Sequence, residues 1–353
     1  MERRLALITG APGWLGNRFL NALAGTLPEL AAISNVPSLE PRVRCLVLPR
    51  FERDPVFSEI SEVEVVVGDL AEPESLVPFF QGAEGATVFH MAGLIHPQRR
   101  TKELYRINVT GTANLIEAAE RVGVRRIVAV SSNSTIGVNY HPLHLFDEES
   151  TPRPYLHYGK SKLVMETLLR QAHSRGKLET VIIRPCWFYG PGQPPRQTLF
   201  FKMIREGKAP ILGDGEIRRS VSYVDSVCQS LLLAEVNEDA AGQTFWVADE
   251  QPYTMNEIVN TVERLLRDEF NFQVTGKRLK LPAITGDIAE ATDRFLQFFG
   301  LYHQKIHVLG EMNKTIACDI TKAKKKLGYR PLVELEEGMR RSISWCLERG
   351  HKM

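Results

Sequence analysis

Leu5-Ala6-Leu7-Ile8-Thr9-Gly10-Ala11-Pro12-Gly13-Trp14-Leu15-Gly16 joins a short apolar run to three glycines spaced three apart, with a helical pattern behind them. A strand that turns into a helix through G-x-x-G-x-x-G brings backbone close to a bound diphosphate. Gly10 suits the tight turn, Gly13 lets backbone approach the pyrophosphate, and Gly16 lets helix and strand pack closely. Trp14 and Leu15 open the helix, whose N-terminus then faces the phosphate charge. Glycines at this spacing also occur in turns that bind nothing. Their place behind the first strand of an alternating chain favours a dinucleotide.

The alternation continues outward from that turn. Apolar, β-branched runs at Leu5–Thr9, Val43–Leu48, Val63–Val67, Thr87–His90, Ile127–Ser131 and Thr180–Arg184 suit strands buried on both faces. Helical patterns fall between them, most clearly at Leu15–Ala24, Leu104–Val122 and Tyr158–Arg175. Right-handed crossovers then predict an α/β fold with a doubly wound parallel sheet. Pro185, Pro191, Pro194 and Pro195 crowd the next stretch with Gly190 and Gly192, where a loop begins. The expected organisation is a dinucleotide-binding domain over 1–185, to which the chain returns near 219–250, with contact at Tyr223–Asp225. Residues 186–218 and 251–353 form mainly a smaller substrate-binding lobe.

The 353 residues are 43% hydrophobic and 24% charged, too apolar for a disordered chain. Lys and Arg number 44 against 42 Asp and Glu, a net charge of +2 that gives no reason to expect nucleic acid as a partner. Cys45, Cys186, Cys228, Cys318 and Cys346 show no C-x-x-C spacing, so neither a metal site nor a disulfide framework is expected. Arg3 and Arg4 imitate a charged leader, but the apolar stretch behind them is too short for one. No window is apolar enough for a membrane span. A cytoplasmic protein is expected. Lys322 and Lys324–Lys326 read as a solvated helix face.

The cofactor type turns on the end of the second strand. A carboxylate there binds the ribose hydroxyls of NAD, whereas Arg suits a 2′-phosphate. Here Leu48 is followed by Pro49 and Arg50, which favours NADP over NAD. Asp69, after the third strand, is placed to accept from an adenine amine or to serve as a turn residue.

Tyr158 and Lys162 stand at i and i+4 and share one helix face. A phenol titrates near ~10, and lowering it by ~3 units needs about 4 kcal/mol. An ammonium at ~4 Å in an effective dielectric of ~20 supplies about that much. Tyr158 is thus expected to be lowered by Lys162 and to move a proton while a nicotinamide moves a hydride. The polar cluster Ser131-Ser132-Asn133-Ser134-Thr135 ends the fifth strand, where ligands bind in such sheets.

With these motifs in order, the chain resembles an extended short-chain dehydrogenase/reductase, the NAD-dependent epimerase/dehydratase family with its Rossmann fold. His90-Met91-Ala92-Gly93, Asn108-Val109-Thr110-Gly111-Thr112, Arg184-Pro185 with Tyr189-Gly190-Pro191-Gly192, and Gly213-Asp214-Gly215 through Arg219 to Tyr223-Val224-Asp225 all resemble family segments. So do Asp319-Ile320, Leu327-Gly328-Tyr329 and Leu335-Glu336-Glu337-Gly338. The resemblance implies Tyr158 as general acid/base, with Lys162 on the nicotinamide ribose. It adds Leu70, Met91, Ala92, Gly93, Asn108, Ser131, Pro185 and Phe188 to the cofactor residues. The family's usual Ser/Thr position falls on Asn133, which leaves Ser132 or Ser134 to substitute; Ser132 is preferred, with Asn133 and Ser134 toward the substrate.

Trp187, Arg196 and Arg219 are the further substrate candidates. Gly310-Glu311-Met312-Asn313 lacks the Arg that nucleotide-sugar members carry there. The segment from Leu281 to Tyr302 resembles the 3β-hydroxysteroid dehydrogenase-like branch. Its Phe295, Phe298, Phe299 and Tyr302 at i, i+3, i+4 and i+7 predict one apolar helix face, either lobe core or a lid over an apolar substrate. The leading expectation is an NAD(P)-dependent oxidoreductase or epimerase acting on a secondary alcohol or ketone of a small molecule. A nucleotide-sugar epimerase or dehydratase and a non-catalytic NADP-sensing protein are the alternatives. The resemblance also implies a homodimer formed through the Leu104–Val122 and Tyr158–Arg175 helices.

Overall fold

Leu7 and Ile8 are fully buried, as a strand covered on both faces requires. This first strand, β1 (Leu5–Thr9), is followed by β2 (Arg42–Val47), β3 (Val63–Val67), β4 (Thr87–His90), β5 (Arg126–Val130), β6 (Glu179–Pro185) and β7 (Thr244–Val247). In the computed structural model, which describes residues 5–31, 42–60 and 63–353, they form one seven-stranded sheet. The order is β7-β6-β5-β4-β1-β2-β3, and every pair is parallel. Arg3 and Arg4 lie outside the described residues.

The order reverses between β1 and β4, so the connections leaving these neighbours diverge to opposite faces. A crevice at their carboxyl ends is the consequence. His90 at the end of β4 ties the two layers together. Its Nδ1 is 2.8 Å from Thr9 Oγ1 and its Nε2 is 2.9 Å from Thr112 Oγ1. Burial pushes its pKa down to about 3, so the ring is neutral.

The helices on the two faces include α1 (Trp14–Leu23), α2 (Thr112–Val122), α3 (Leu156–Ser174) and α4 (Val224–Val236). Lys102–Tyr105 and a π-helical stretch, Arg106–Gly111, lead into α2. Separate apolar clusters fill the two sides of the sheet, and a third fills the lobe. Arg18 on α1 pairs with Asp225 on α4 at 2.7 and 2.6 Å.

Within 219–250 the chain re-enters the large sheet later than Tyr223–Asp225. Val221–Tyr223 pairs with Trp187–Tyr189 in a separate two-stranded ribbon. The strand that rejoins the large sheet is β7, reached through α4. Nearly all of α4 is buried, so its place is a covered layer rather than a surface.

The lobe holds two more short ribbons, with helices at Pro195–Arg205, Met255–Arg264 and Leu335–Glu348. Helices α5 (Ile284–Phe298) and α6 (Gln304–Glu311) also belong to it. The expected apolar face on α5 is not lobe core. Phe295, Phe298 and Phe299 are 65%, 83% and 58% exposed, and of that set Tyr302 alone is buried. The helix stops at Phe298, and its inward positions are instead Gly286, Ala289, Asp293 and Gln297.

Candidate active site

Gly10 leaves β1 with φ of 101°, a left-handed conformation that glycine adopts freely. A Cβ on Gly10 would fall 2.7 Å from Ala92 N and from Met91 C, so the loops after β1 and β4 touch by backbone alone. A Cβ on Gly13 or on Gly16 would fall 2.6 Å from Gly10 O. Gly16 thus packs α1 against the turn itself, where the sequence suggested contact with the strand. Trp14 Nε1 donates to Pro191 O at 2.7 Å, and its ring meets Phe188 edge-on at 6.0 Å. The Tyr189–Gly192 loop therefore covers the outer side of the glycine turn. Leu15 is buried in the core beneath it.

Arg50 is exposed just beyond β2, its guanidinium 4.7 Å from the centre of the Phe51 ring. Asp69 behaves as a turn residue. Its Oδ1 accepts from Ala71 N at 2.9 Å, and Oδ2 accepts from Arg106 at 3.0 Å. Leu70 is buried, and its carbonyl accepts from Asn114.

At the centre of the crevice, Asn108 occupies the π-helical stretch. Its amide accepts from Leu94 N at 2.8 Å and donates to Leu94 O at 2.9 Å and Ser161 Oγ at 3.0 Å. This fixes the loop after Gly93 against α3. A Cβ on Gly93 would fall 3.2 Å from Lys162 Nζ, so glycine leaves the ammonium room. Lys162 is buried, and burial lowers its pKa to about 8. Among the described residues its ammonium donates to a single oxygen, Val130 O at 2.9 Å, with Met165 Sδ at 3.4 Å. An ammonium has three donors. A buried one bonded to one oxygen fits ribose hydroxyls.

Tyr158 stands one helical turn before Lys162 and is also buried. The sequence expectation that Lys162 lowers the phenol is corrected here. Burial dominates and pushes Tyr158 up to about 12, opposed by a hydrogen bond from Ser132 and by the Arg196 charge. The Lys162 ammonium is directed to Val130 rather than to the phenol.

Ser132 is the member of the polar cluster that meets Tyr158. Its Oγ also accepts from Ser134 N at 3.2 Å. Asn133 and Ser134 lie in the short 3₁₀ turn that follows. Ser131 is turned inward, and its hydroxyl donates to Glu166 at 2.6 Å. Pro185 closes β6 beside this cluster.

On the substrate side the structure adds residues that the sequence did not single out. His96 Nδ1 is 2.5 Å from Tyr302 OH, and the Tyr155 and Tyr302 rings each lie 5.4 Å from His307. His307 Nδ1 is 2.7 Å from Asp293 Oδ2. Burial disfavours the charged His307 ring, yet Asp293 and Glu311 outweigh it and raise its pKa. His96 is lowered to about 3 by burial, with Arg196 and His307 adding to the effect. Arg219 donates to Glu311 O, and Arg196 is solvent-exposed while its charge reaches both Tyr158 and Tyr302. Trp187 packs on Phe200 in the lobe, with ring centres 5.7 Å apart. His96, Tyr155, Asp293, His307 and Glu311 come from three distant segments. No local spacing marks them.

The arrangement offers a backbone cradle for a diphosphate, a buried ammonium, and two adjacent hydroxyls beneath a polar-aromatic wall. A model of the NAD dependent epimerase/dehydratase family matches residues 6–248. The uncharacterized protein y4nL of Sinorhizobium fredii is 51% identical over 98% of this chain and 96% of its own length. The 3beta-hydroxysteroid-dehydrogenase/decarboxylase isoform 1 of Arabidopsis thaliana is 33% identical over 80% of this chain and 66% of its own length. The solved UDP-glucose 4-epimerase of Thermotoga maritima superposes with a TM-score of 0.75 over 98% of this chain and all of its own, at 20% identity.

Proposed function

The chain belongs to the NAD dependent epimerase/dehydratase family, and on that premise we propose that Tyr158 moves the proton while a hydride passes between a nicotinamide and a secondary alcohol or ketone. The observation that carries this reading is the meeting of the Tyr158 and Ser132 hydroxyls beside the buried Lys162. A bound nicotinamide dinucleotide supplies the hydride acceptor or donor. Gly10, Gly13, Gly16 and the start of α1 hold its diphosphate, and Asn108 holds the Gly93–Leu94 backbone in place. Lys162 donates to ribose hydroxyls. Ser132 donates to the substrate oxygen.

A phenol near 12 is protonated at neutral pH, the state that delivers a proton to a carbonyl oxygen. In the oxidative direction the Ser132 hydrogen bond and the Arg196 charge favour the phenolate. NADP is preferred over NAD because Arg50 follows β2 with no carboxylate ahead of it. A cytoplasmic dimer remains the expected form.

For the substrate, a sterol-like secondary alcohol is favoured. The 33%-identical plant hydroxysteroid dehydrogenase/decarboxylase and the aromatic wall of Tyr155 and Tyr302 around His307 support it. Arg219 beside Glu311 is the observation that keeps a nucleotide sugar as the second reading. The test is a screen of sterol-like ketones and nucleotide sugars, with product analysis beside reduced-cofactor absorbance. Replacing Tyr158 with Phe should cut turnover by about 10²- to 10⁴-fold and leave cofactor affinity intact. Unchanged turnover would reject its role.

A further inference from the structure

Helix α5 is amphipathic the wrong way round for a helix on a protein core. Its inward positions carry Gly286, Ala289, Asp293 and Gln297, whereas Ile284, Ile288, Ala291, Phe295 and Phe298 are exposed. These lie at i, i+4, i+7, i+11 and i+14, one stripe along the helix. Phe299 at the helix end extends the stripe, with its ring 5.2 Å from both Phe295 and Phe298. Leu301 is exposed just beyond it. A contiguous aromatic patch of this kind on a soluble chain marks a surface that something covers.

The charge beside the patch indicates what covers it. Residues 99–101 run against 300–302: Tyr302 N donates to Arg99 O at 2.9 Å, Thr101 N donates to Gly300 O at 3.0 Å, and Arg100 bridges Leu301. Arg99, Arg100 and Lys102 are thereby held at the edge of the phenylalanine cluster. All three are exposed, and Lys305 is exposed on the following helix. Among the described residues none of the four forms an ion pair. The carboxylates of α5 are already neutralised, Asp287 and Glu290 by Lys314 and Arg294, and Asp293 by His307. The patch is therefore an apolar ridge bordered by unpaired cations.

We propose that α5 docks this protein on an anionic lipid bilayer, with Phe295, Phe298 and Phe299 entering the headgroup region and Arg99, Arg100 and Lys102 on the lipid phosphates. Such a ridge with flanking cations is the pattern of an interfacial helix. A second copy of the chain fits less well. Isologous pairing about the ridge would bring the same three cations toward their own copies. The opposite side of α5 reaches the active site, for Gln297 accepts from His157 N at 3.1 Å and Asp293 holds His307. Docking would thus bring the substrate side of the crevice near the bilayer, where an apolar alcohol dissolves.

The experiment is flotation of the full chain with vesicles of phosphatidylcholine, alone or mixed with phosphatidylglycerol. Wild type should float with the mixed vesicles, less so as salt is added. The triple change Phe295→Ser, Phe298→Ser and Phe299→Ser should weaken binding by at least about tenfold, a loss of ~1.4 kcal/mol. Arg99→Glu with Arg100→Glu should abolish the preference for the anionic vesicles. Circular dichroism and cofactor titration should match wild type in both variants, because every altered side chain is exposed. Tyr158→Phe should float normally, so a failure of the proposed chemistry would leave this result standing. Wild type left unbound by both vesicle types overturns the proposal. So does a dimer, seen by light scattering, that the serine variant converts to monomers while vesicle binding is unchanged.

Discussion

Arg184 grips both carboxylate oxygens of Glu166, at 2.8 and 2.7 Å, in a site where neither side chain reaches solvent. Arg170 adds a contact at 2.8 Å, and Ser131 donates to the same carboxylate at 2.6 Å. Burial alone would raise the Glu166 pKa, but Arg184, Ser131 and Arg170 outweigh it and hold the group low. The network anchors the end of β5 to β6 and α3, and so sets where Ser132 meets Tyr158.

Arg184→Met should destabilise the fold by about 3–5 kcal/mol, because it strands a buried carboxylate with weaker partners. The Glu166 pKa is depressed in the folded state, so its stabilisation is present above the ordinary carboxylate range. It is lost as pH falls through the depressed value. Urea melts at pH 7 and under acid conditions check both points. The gap between wild type and variant should narrow as the pH is lowered.

Lys162→Met should abolish turnover and yet stabilise the protein at neutral pH. The folded-state pKa of Lys162 is lowered from 10.5 to about 8, so below pH 8 folding buries a charge at full cost. That cost is about 3 kcal/mol, and it falls away as pH rises from 8 toward 10.5. Thermal melts at pH 7 and pH 10 should show the variant above wild type at the lower pH, with the gap closing at the higher. A variant less stable at pH 7 would mean that its bond to Val130 outweighs the desolvation.

Gly16→Ala is a helix-favouring change by propensity, by about 1 kcal/mol. Here the added methyl would meet Gly10 O at 2.6 Å and Ala11 N at 2.8 Å, both backbone atoms. Overpacking of that kind costs about 1–3 kcal/mol, so the variant should melt earlier than wild type. Its dinucleotide affinity should fall by at least about tenfold. Fluorescence titration with reduced cofactor reads the second effect.

Arg50→Ala should weaken NADPH by about tenfold, the worth of ~1.4 kcal/mol, and leave NADH unaltered. The side chain is exposed, with its guanidinium against the Phe51 ring, so the fold should not change. Tighter binding of NADH than NADPH by wild type, unaltered in the variant, would reject the role given to Arg50.

Much of the sheet was legible in the chain. The runs at Leu5–Thr9, Val63–Val67 and Thr87–His90 coincide with β1, β3 and β4. β1 and β4 are covered on both faces and need an apolar run, which is a local property. β3 is the edge of the sheet with Glu64 and Val67 exposed, so the two-sided burial expected of Val63–Val67 is not met. The strand at Thr244–Val247 was missed because its Thr-Phe-Trp-Val is short and lies outside the regular alternation. The phenylalanines after Asp293 misled for a related reason. Their spacing gives a helix face, but periodicity does not say which way that face points.

The sequence by itself determined the glycine turn, the order of the strands along the chain, and the i, i+4 pairing of Tyr158 with Lys162, since each depends on neighbours a few residues apart. The tertiary structure decided which cluster serine meets Tyr158, the direction of the Lys162 ammonium, and the wall formed by His96, Tyr155, Tyr302 and His307. It also turned the apolar stripe of α5 outward. These depend on contacts between segments up to about two hundred residues apart in the chain, and on burial, which outweighs the charge pairing read from spacing.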